Sequence, residues 1–169
     1  MDHNLDNKIK FKDKLFSSLK ENKLKLFFLI SIIFLVISIV IFIKFNNEKK
    51  NELISEKYIQ AGLYLASKDE KKSKDLYEEV ILSNNKFYSI LALNTILEKD
   101  LEKEEKKIMK YFANVESLVK DIDVKNLIQF KKALYLIKNS NKIEGTKLLN
   151  NIIKTESKLK SLAEEVLAK

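Results

Sequence analysis

The sequence predicts an all-α protein in which one N-terminal transmembrane helix is followed by a stack of antiparallel helical hairpins. Proline is absent and only two glycines occur among 169 residues, whereas strand-rich folds need many tight turns built from these residues. Apolar residues make up 46 % of the chain and charged residues 33 %, a balance typical of folded rather than disordered chains. Beyond residue 50 the apolar residues recur with the helical period.

An uninterrupted apolar segment, residues 26–43, predicts the membrane-spanning helix. Only Ser31 and Ser38 within it are polar, and Lys25 and Lys44 flank it. At a rise of about 1.5 Å per residue the segment is roughly 27 Å long, which matches the roughly 30 Å hydrocarbon core of a bilayer. The flanking lysines are long enough to reach the lipid headgroups.

Two alternative interpretations of this segment are disfavoured. A cleavable signal sequence has about 7 to 15 apolar residues followed by a small-residue cleavage site, whereas the first alanine or glycine of this chain is Ala61. The other alternative is a buried core helix of a soluble domain, but eighteen consecutive positions without a charge leave no polar face for water. We therefore expect an uncleaved anchor.

The distribution of lysines predicts the orientation of the anchor, because cytoplasmic flanks carry the excess of positive charge. More lysines precede the span than follow it over a comparable stretch: Lys8, Lys10, Lys12, Lys14, Lys20, Lys23 and Lys25 against Lys44, Lys49, Lys50 and Lys57. We expect residues 1–25 to form a cytoplasmic basic tail, residues 44–52 a charged helical connector, and residues 53–169 a periplasmic helical domain at a bacterial inner membrane. A tail that lies along an anionic leaflet is the less favoured alternative to a purely topogenic one.

The composition argues against several classes of function. Without cysteine there are no disulfides, thiol nucleophiles or thiolate metal sites, and the one histidine, His3, cannot assemble a metal site that needs three or four ligands. The net charge is +8, but every basic residue is lysine, whereas phosphate recognition favours the guanidinium fork of arginine. Paired carboxylates such as Glu104 and Glu105 lie beside lysines, as on solvated helix faces. We expect no enzymatic activity, no cofactor, no nucleic acid and no small-molecule substrate.

Seven helices can be placed along the domain, each with an apolar stripe at helical spacing. The stripes are Ile54, Tyr58, Ala61, Gly62 and Leu65; Leu76, Tyr77, Val80 and Ile81; Tyr88, Leu91, Ala92, Thr95 and Ile96; Ile108, Phe112, Val115 and Val119; Leu127, Phe130, Leu134 and Ile137; Leu148, Leu149, Ile152 and Ile153; and Leu159, Leu162, Ala163 and Val166. Polar clusters separate them and supply N-cap oxygens, with a capping box expected at Asn141 and Glu144. Such short connections require antiparallel neighbours.

Two parts of the domain resemble each other at an offset of about 70 residues. Residues 62–65, GLYL, recur at 133–136 as ALYL, and residues 73–81 match residues 145–153. Two periods of about 35 residues would give this offset, and a helix-turn-helix unit of about 34 residues is the tetratricopeptide (TPR) period. The TPR pattern places small residues where paired helices meet and an aromatic residue in the second helix; the candidate packing positions are Gly62, Ser73, Tyr77, Ala92, Ala133, Gly145 and Leu149. An irregular bundle with coincidental matches is the alternative.

Three segments and the overall architecture carry a family resemblance. The segments are YIQAGL at residues 58–63, LYEEV at 76–80 and YSILAL at 88–93. With one span near the N-terminus and a helical-repeat domain after it, the chain resembles the YfgM-type TPR-like proteins of bacterial inner membranes. The resemblance implies association with the SecYEG translocon and with periplasmic chaperones.

A stacked-hairpin array has a concave face that captures peptide segments, which makes protein binding the expected function. Tyr64 and Tyr135 are the candidate peptide-binding residues, because they occupy equivalent repeat positions beside the apolar stripe. Ordinary packing between helices is the competing role for both. The expected function is therefore a membrane-anchored interaction scaffold, and the resemblance implies that it acts near the translocon. A structural adaptor of another envelope assembly, such as a division or secretion complex, is the alternative.

Overall fold

The computed structural model describes residues 22–139, 141–155 and 157–168. The described part contains seven α-helices and no strand: α1 (Lys23–Ala66), α2 (Glu70–Leu82), α3 (Lys86–Glu98), α4 (Glu105–Leu118), α5 (Ile122–Lys138), α6 (Lys142–Lys154) and α7 (Lys160–Leu167). The predicted all-α class and the number of helices are therefore confirmed for these residues. The predictions for His3 and for the tail up to residue 21 lie outside the described residues.

Helix α1 joins three predicted segments, because the apolar segment, the connector and the first helix of the domain form one uninterrupted helix. The helix is long and apolar enough to cross a membrane, and its most apolar stretch is not buried. Inside this stretch the Ser38 hydroxyl donates to the Phe34 carbonyl at 2.9 Å, so its polar group is satisfied within the helix. Lys25 and Lys44 are exposed at the two ends of the apolar segment.

The chain divides into two compact units, with the boundary between Lys50 and Asn51. The second unit has two hydrophobic clusters. The larger cluster joins α1 through α5 and consists of Ile54, Ala61, Tyr77, Val80, Ile81, Ala92, Leu93, Ile96, Ile108, Tyr111, Phe112, Val115, Val119 and Ile128. The smaller one joins α5, α6 and α7 and consists of Ala133, Leu149, Ile152 and Ala163.

Successive helices of the second unit pack against each other from α2 to α7, and α2 also packs against α4. A shared carbonyl ties the first three of these helices together. The Ile81 carbonyl at the end of α2 accepts hydrogen bonds from Ser89 Oγ of α3 at 2.9 Å and from Asn114 Nδ2 of α4 at 2.7 Å. This arrangement explains a fully buried serine on α3, since a buried hydroxyl needs a partner.

The predicted N-caps are present at four helices. Side-chain oxygens of Asp69, Asn85, Asp121 and Asn141 accept backbone N–H groups in the first turns of α2, α3, α5 and α6. The capping box at Asn141 is formed only in part. Its backbone N–H donates to the Leu136 carbonyl at 2.9 Å, so that this donor serves the end of α5 and not the side chain of Glu144.

The first three helices end in the same backbone conformation. Lys68, Asn84 and Asp100 have φ values of 64°, 61° and 54°, the left-handed region that favours glycine. After α1, the Asp69 N–H donates to the Tyr64 carbonyl and the Lys68 N–H to the Leu65 carbonyl, which together form a Schellman motif. A non-glycine residue in this conformation is strained by about 1–2 kcal/mol.

We expect Lys68→Gly to stabilise the protein by about 0.5–1 kcal/mol, because the relief of left-handed strain exceeds the added entropy of the unfolded chain. The matched substitution Asn84→Gly should have a smaller effect, since asparagine tolerates this conformation better than lysine. Urea denaturation of the purified chain in detergent, followed by circular dichroism, measures both. Equal midpoint shifts for the two variants would contradict the strain argument.

Helix α5 differs from its predicted orientation. Its predicted stripe included Leu127 and Leu134, but these side chains are 42 % and 38 % exposed, and the buried residues of α5 include Ile128, Ala133 and Leu136. Helix α5 packs against both α4 and α6, and it contributes Ile128 to the larger cluster and Ala133 to the smaller one. Two faces of the helix are therefore buried, and Leu127 and Leu134 of the predicted stripe lie largely outside them. Leu134 is thereby left to line a groove.

Candidate peptide-binding groove

A groove of about 320 Å³ lies between the C-terminal turns of α3 and α5. This volume falls in the range of roughly 300–1,000 Å³ typical of ligand pockets. Its apolar residues are Leu97, Leu134 and Tyr135. Its polar residues are Asn94, Glu98, Asp100, Lys131, Lys138 and Asn139.

Helix α4 holds the two walls of the groove in place, because it packs against both α3 and α5. The Tyr135 ring lies against the fully buried Phe112 ring of α4, with centroids 6.3 Å apart. The Lys131 ammonium donates to Asn94 Oδ1 at 2.7 Å and joins the walls directly. The groove is therefore supported by residues from three helices.

The two walls of the groove differ in charge. Glu98 and Asp100 lie on the α3 side, and Lys131 and Lys138 lie on the α5 side. A hydrogen bond from Lys103 holds the pKa of Asp100 below its usual value, with further help from Lys138. Burial raises the pKa of Tyr135, and nearby carboxylates, including that of Asp100, add to the shift, so the phenol stays neutral. The groove thus combines apolar side chains on both walls with acidic residues on the α3 side and basic residues on the α5 side.

Only one of the two candidate tyrosines lines the groove. Tyr135 does, and it is half-buried. Tyr64 lies near the end of α1, where the Lys72 ammonium lies 5.2 Å from its ring centroid. The groove-lining residues do not include Tyr64, so the structure does not bring the two candidates into one site.

The candidate repeat positions have similar environments in the two matching hairpins. Ser73 and Gly145 are both buried, as are Tyr77 and Leu149 at the next equivalent position. In the first helices of the two hairpins Ala133 is fully buried, whereas Gly62 is half-buried beneath the Tyr77 hydroxyl. Ala92 of the middle hairpin is fully buried as well.

A buried carboxylate that the sequence did not indicate lies in the connection between α3 and α4. Glu102 is 7 % exposed, and its Oε1 accepts the backbone N–H groups of Lys103 and Glu104 at 2.9 and 3.0 Å. Its Oε2 lies 3.4 Å from the ammonium of Lys74 on α2 and 3.6 Å from that of Lys107 on α4. Burial alone would raise the pKa of Glu102, but these hydrogen bonds and charges outweigh it and hold the pKa below its usual value.

The Glu102 carboxylate has a structural role, because its partners lie on neighbouring elements of the fold. It connects α2, the α3–α4 connection and α4, and therefore fixes the end of α3, which forms one wall of the groove. Among the described residues no three histidine, cysteine, aspartate or glutamate side chains converge as metal ligands. In the sequence, Glu102 is one of several charged residues in a lysine-rich stretch, and nothing there distinguishes it as a buried residue.

Comparison of the chain with known protein families, with characterised proteins and with solved structures finds no match.

Proposed function

We propose that this chain is a single-pass, membrane-anchored scaffold of TPR-like architecture that binds segments of other proteins in the groove between α3 and α5. The groove is the observation that carries the proposal. Its apolar residues accept one or two apolar side chains, and its charged residues select the residues that flank them. Binding rather than catalysis is the chemistry that these side chains support.

The anchor is the first supporting argument. Helix α1 is long and apolar enough to span a bilayer, and lysines are more frequent before its apolar segment than after it. We infer that the N-terminus is cytoplasmic and that residues 53–169 lie on the periplasmic side of a bacterial inner membrane. Tethering at that surface raises the effective concentration of a weak peptide site for chains that emerge there.

The TPR-like architecture is supported by the packing order and by the matching hairpins. Helices adjacent in sequence are adjacent in space from α2 to α7, as in a stack of hairpins. Ser73 and Gly145, which match in the sequence comparison, are both buried, and Gly145 lies against Ala133 and Ile137 of the preceding helix. From the family resemblance we propose the SecYEG translocon and periplasmic chaperones as the neighbouring proteins.

Photocrosslinking in living cells tests this proposal. A photoreactive amino acid in place of Leu134, which lines the groove and is 38 % exposed, should capture other envelope proteins. The matched control replaces Leu162 on α7, which has a similar exposure of 49 % but does not line the groove. Mass spectrometry of the captured proteins identifies the partner.

The outcomes separate the candidate roles. Translocon or chaperone components captured from position 134, and not from position 162, would support the proposal. Components of a division or secretion complex would favour the structural-adaptor alternative. Equal capture from both positions would exclude the groove as the binding site. Protease added outside spheroplasts should degrade the domain, and protection there would contradict the proposed orientation.

A further inference from the structure

Ile143 is the most exposed large apolar side chain in the described part of the chain. It lies in the first turn of α6 with 86 % of its surface accessible, and Lys142 and Glu144 flank it. Scattered exposed apolar residues are common, but most keep part of their surface covered by neighbouring side chains. Ile143 therefore forms an apolar projection between a basic and an acidic residue.

This projection lies close to the groove along the chain. Asn139 lines the groove and precedes Ile143 by four residues, which limits the distance between their Cα atoms to about 14 Å. The high exposure of Ile143 shows that it does not fill the groove of its own chain. A two-fold contact joins the same surface of both copies, so a projection and a cavity that lie within a short distance of each other can both belong to it.

The charges beside the projection complement those of the groove. Between two copies of the chain, Lys142 of one copy can pair with Glu98 in the groove of the other, and Glu144 can pair with Lys138 there. The side chain between Lys142 and Glu144 matches the apolar groove residues Leu97 and Leu134. The apolar side chain and the charges around it therefore match the groove residues in the same orientation. Opposite charges placed in this way fix the register of a contact.

We propose that a second copy of this chain occupies the groove in a two-fold dimer, with Ile143 of each copy inserted between α3 and α5 of the other. The proposal rests on the proposed function, since it uses the same groove. It adds a form of regulation, because the dimer closes both grooves and must dissociate before another protein binds. Anchoring in one membrane favours this dimer by raising the local concentration of copies.

Disulfide crosslinking tests the contact cleanly, because the chain has no cysteine of its own. Full-length Ile143→Cys and Leu134→Cys chains with different tags are co-expressed, and their membranes are oxidised mildly. The matched control pairs Ile143→Cys with Leu127→Cys, which lies on the same helix as Leu134 with a similar exposure of 42 % but outside the groove. We expect the mixed disulfide with Leu134→Cys to form at least tenfold faster than with Leu127→Cys.

Charge reversal provides a second measurement on the same crosslink. Glu98→Lys should reduce the yield of the mixed disulfide severalfold, and Lys142→Glu in the same chains should restore it. Equal rates for the two cysteine pairs, or no restoration by the second reversal, would overturn the dimer.

The two proposals fail in different ways. If position 134 captures only copies of this chain and the mixed disulfide forms, the dimer stands and the proposed scaffold function fails. If it captures other proteins and the mixed disulfide does not form, the scaffold function stands and the dimer fails.

Discussion

Gly145→Ala is expected to destabilise the protein by about 1–2 kcal/mol, although alanine is the better helix former. A Cβ atom at this position would lie 2.6 Å from Ile137 Cγ1 and 2.8 Å from the Ala133 carbonyl oxygen, so that α5 and α6 would have to move apart. Overpacking of this kind costs about 1–3 kcal/mol, which exceeds the gain of up to about 1 kcal/mol from helix propensity. Ala133 belongs to the smaller hydrophobic cluster, so the loss should concentrate in α6 and α7.

The other glycine of the chain is the matched control. A Cβ atom at Gly62 would meet only the Tyr77 hydroxyl at 3.6 Å, an ordinary contact, so Gly62→Ala should be neutral or stabilising by up to about 1 kcal/mol. Urea denaturation gives the stability of both variants, and hydrogen exchange of α6 and α7 amides locates the loss. A stabilising Gly145→Ala would show that α5 and α6 separate without cost.

The two glycines show what a repeat comparison can and cannot predict. The offset of about 70 residues identified Ser73 and Gly145 as equivalent small positions, and both are buried. It could not distinguish the tight contact at Gly145 from the ordinary one at Gly62, because that difference depends on how closely two helix backbones approach. Helical periodicity contains no information about distances between helices.

The groove was predictable only in part for a related reason. The sequence indicated Tyr135, but Asn94, Glu98, Lys131 and Lys138 follow no apolar period and look like ordinary solvated positions. They meet because α4 holds α3 and α5 side by side, a tertiary effect. The polar clusters between helices predicted the helix starts more reliably than the apolar stripes predicted the groove. An N-cap is a local interaction between a side chain and the first turn of the helix that follows, so the sequence alone can indicate it.

Glu102→Ala is expected to destabilise the protein by about 2–3 kcal/mol, because it removes two charge-assisted hydrogen bonds and leaves Lys74 and Lys107 without their common partner. The matched control, Glu79→Ala, breaks an ion pair with Lys57 in which the carboxylate side chain is 55 % exposed. Such surface pairs contribute about 0–1 kcal/mol. Urea denaturation near neutral pH should separate the two variants clearly.

The stability lost in Glu102→Ala should depend on pH and should decrease as the pH falls. The pKa of Glu102 in the folded protein lies below its ordinary value of 4.5, so the unfolded chain binds the proton more tightly than the folded one. The contribution of Glu102 to stability is therefore fully present above that ordinary value and is lost as the pH falls through the lower, folded-state pKa. The gap between wild type and Glu102→Ala should narrow as the pH falls from neutrality through 4.5 and below. A gap that stays constant over this interval would mean that the side chain stabilises the α3–α4 connection by packing alone, with no contribution from its charge.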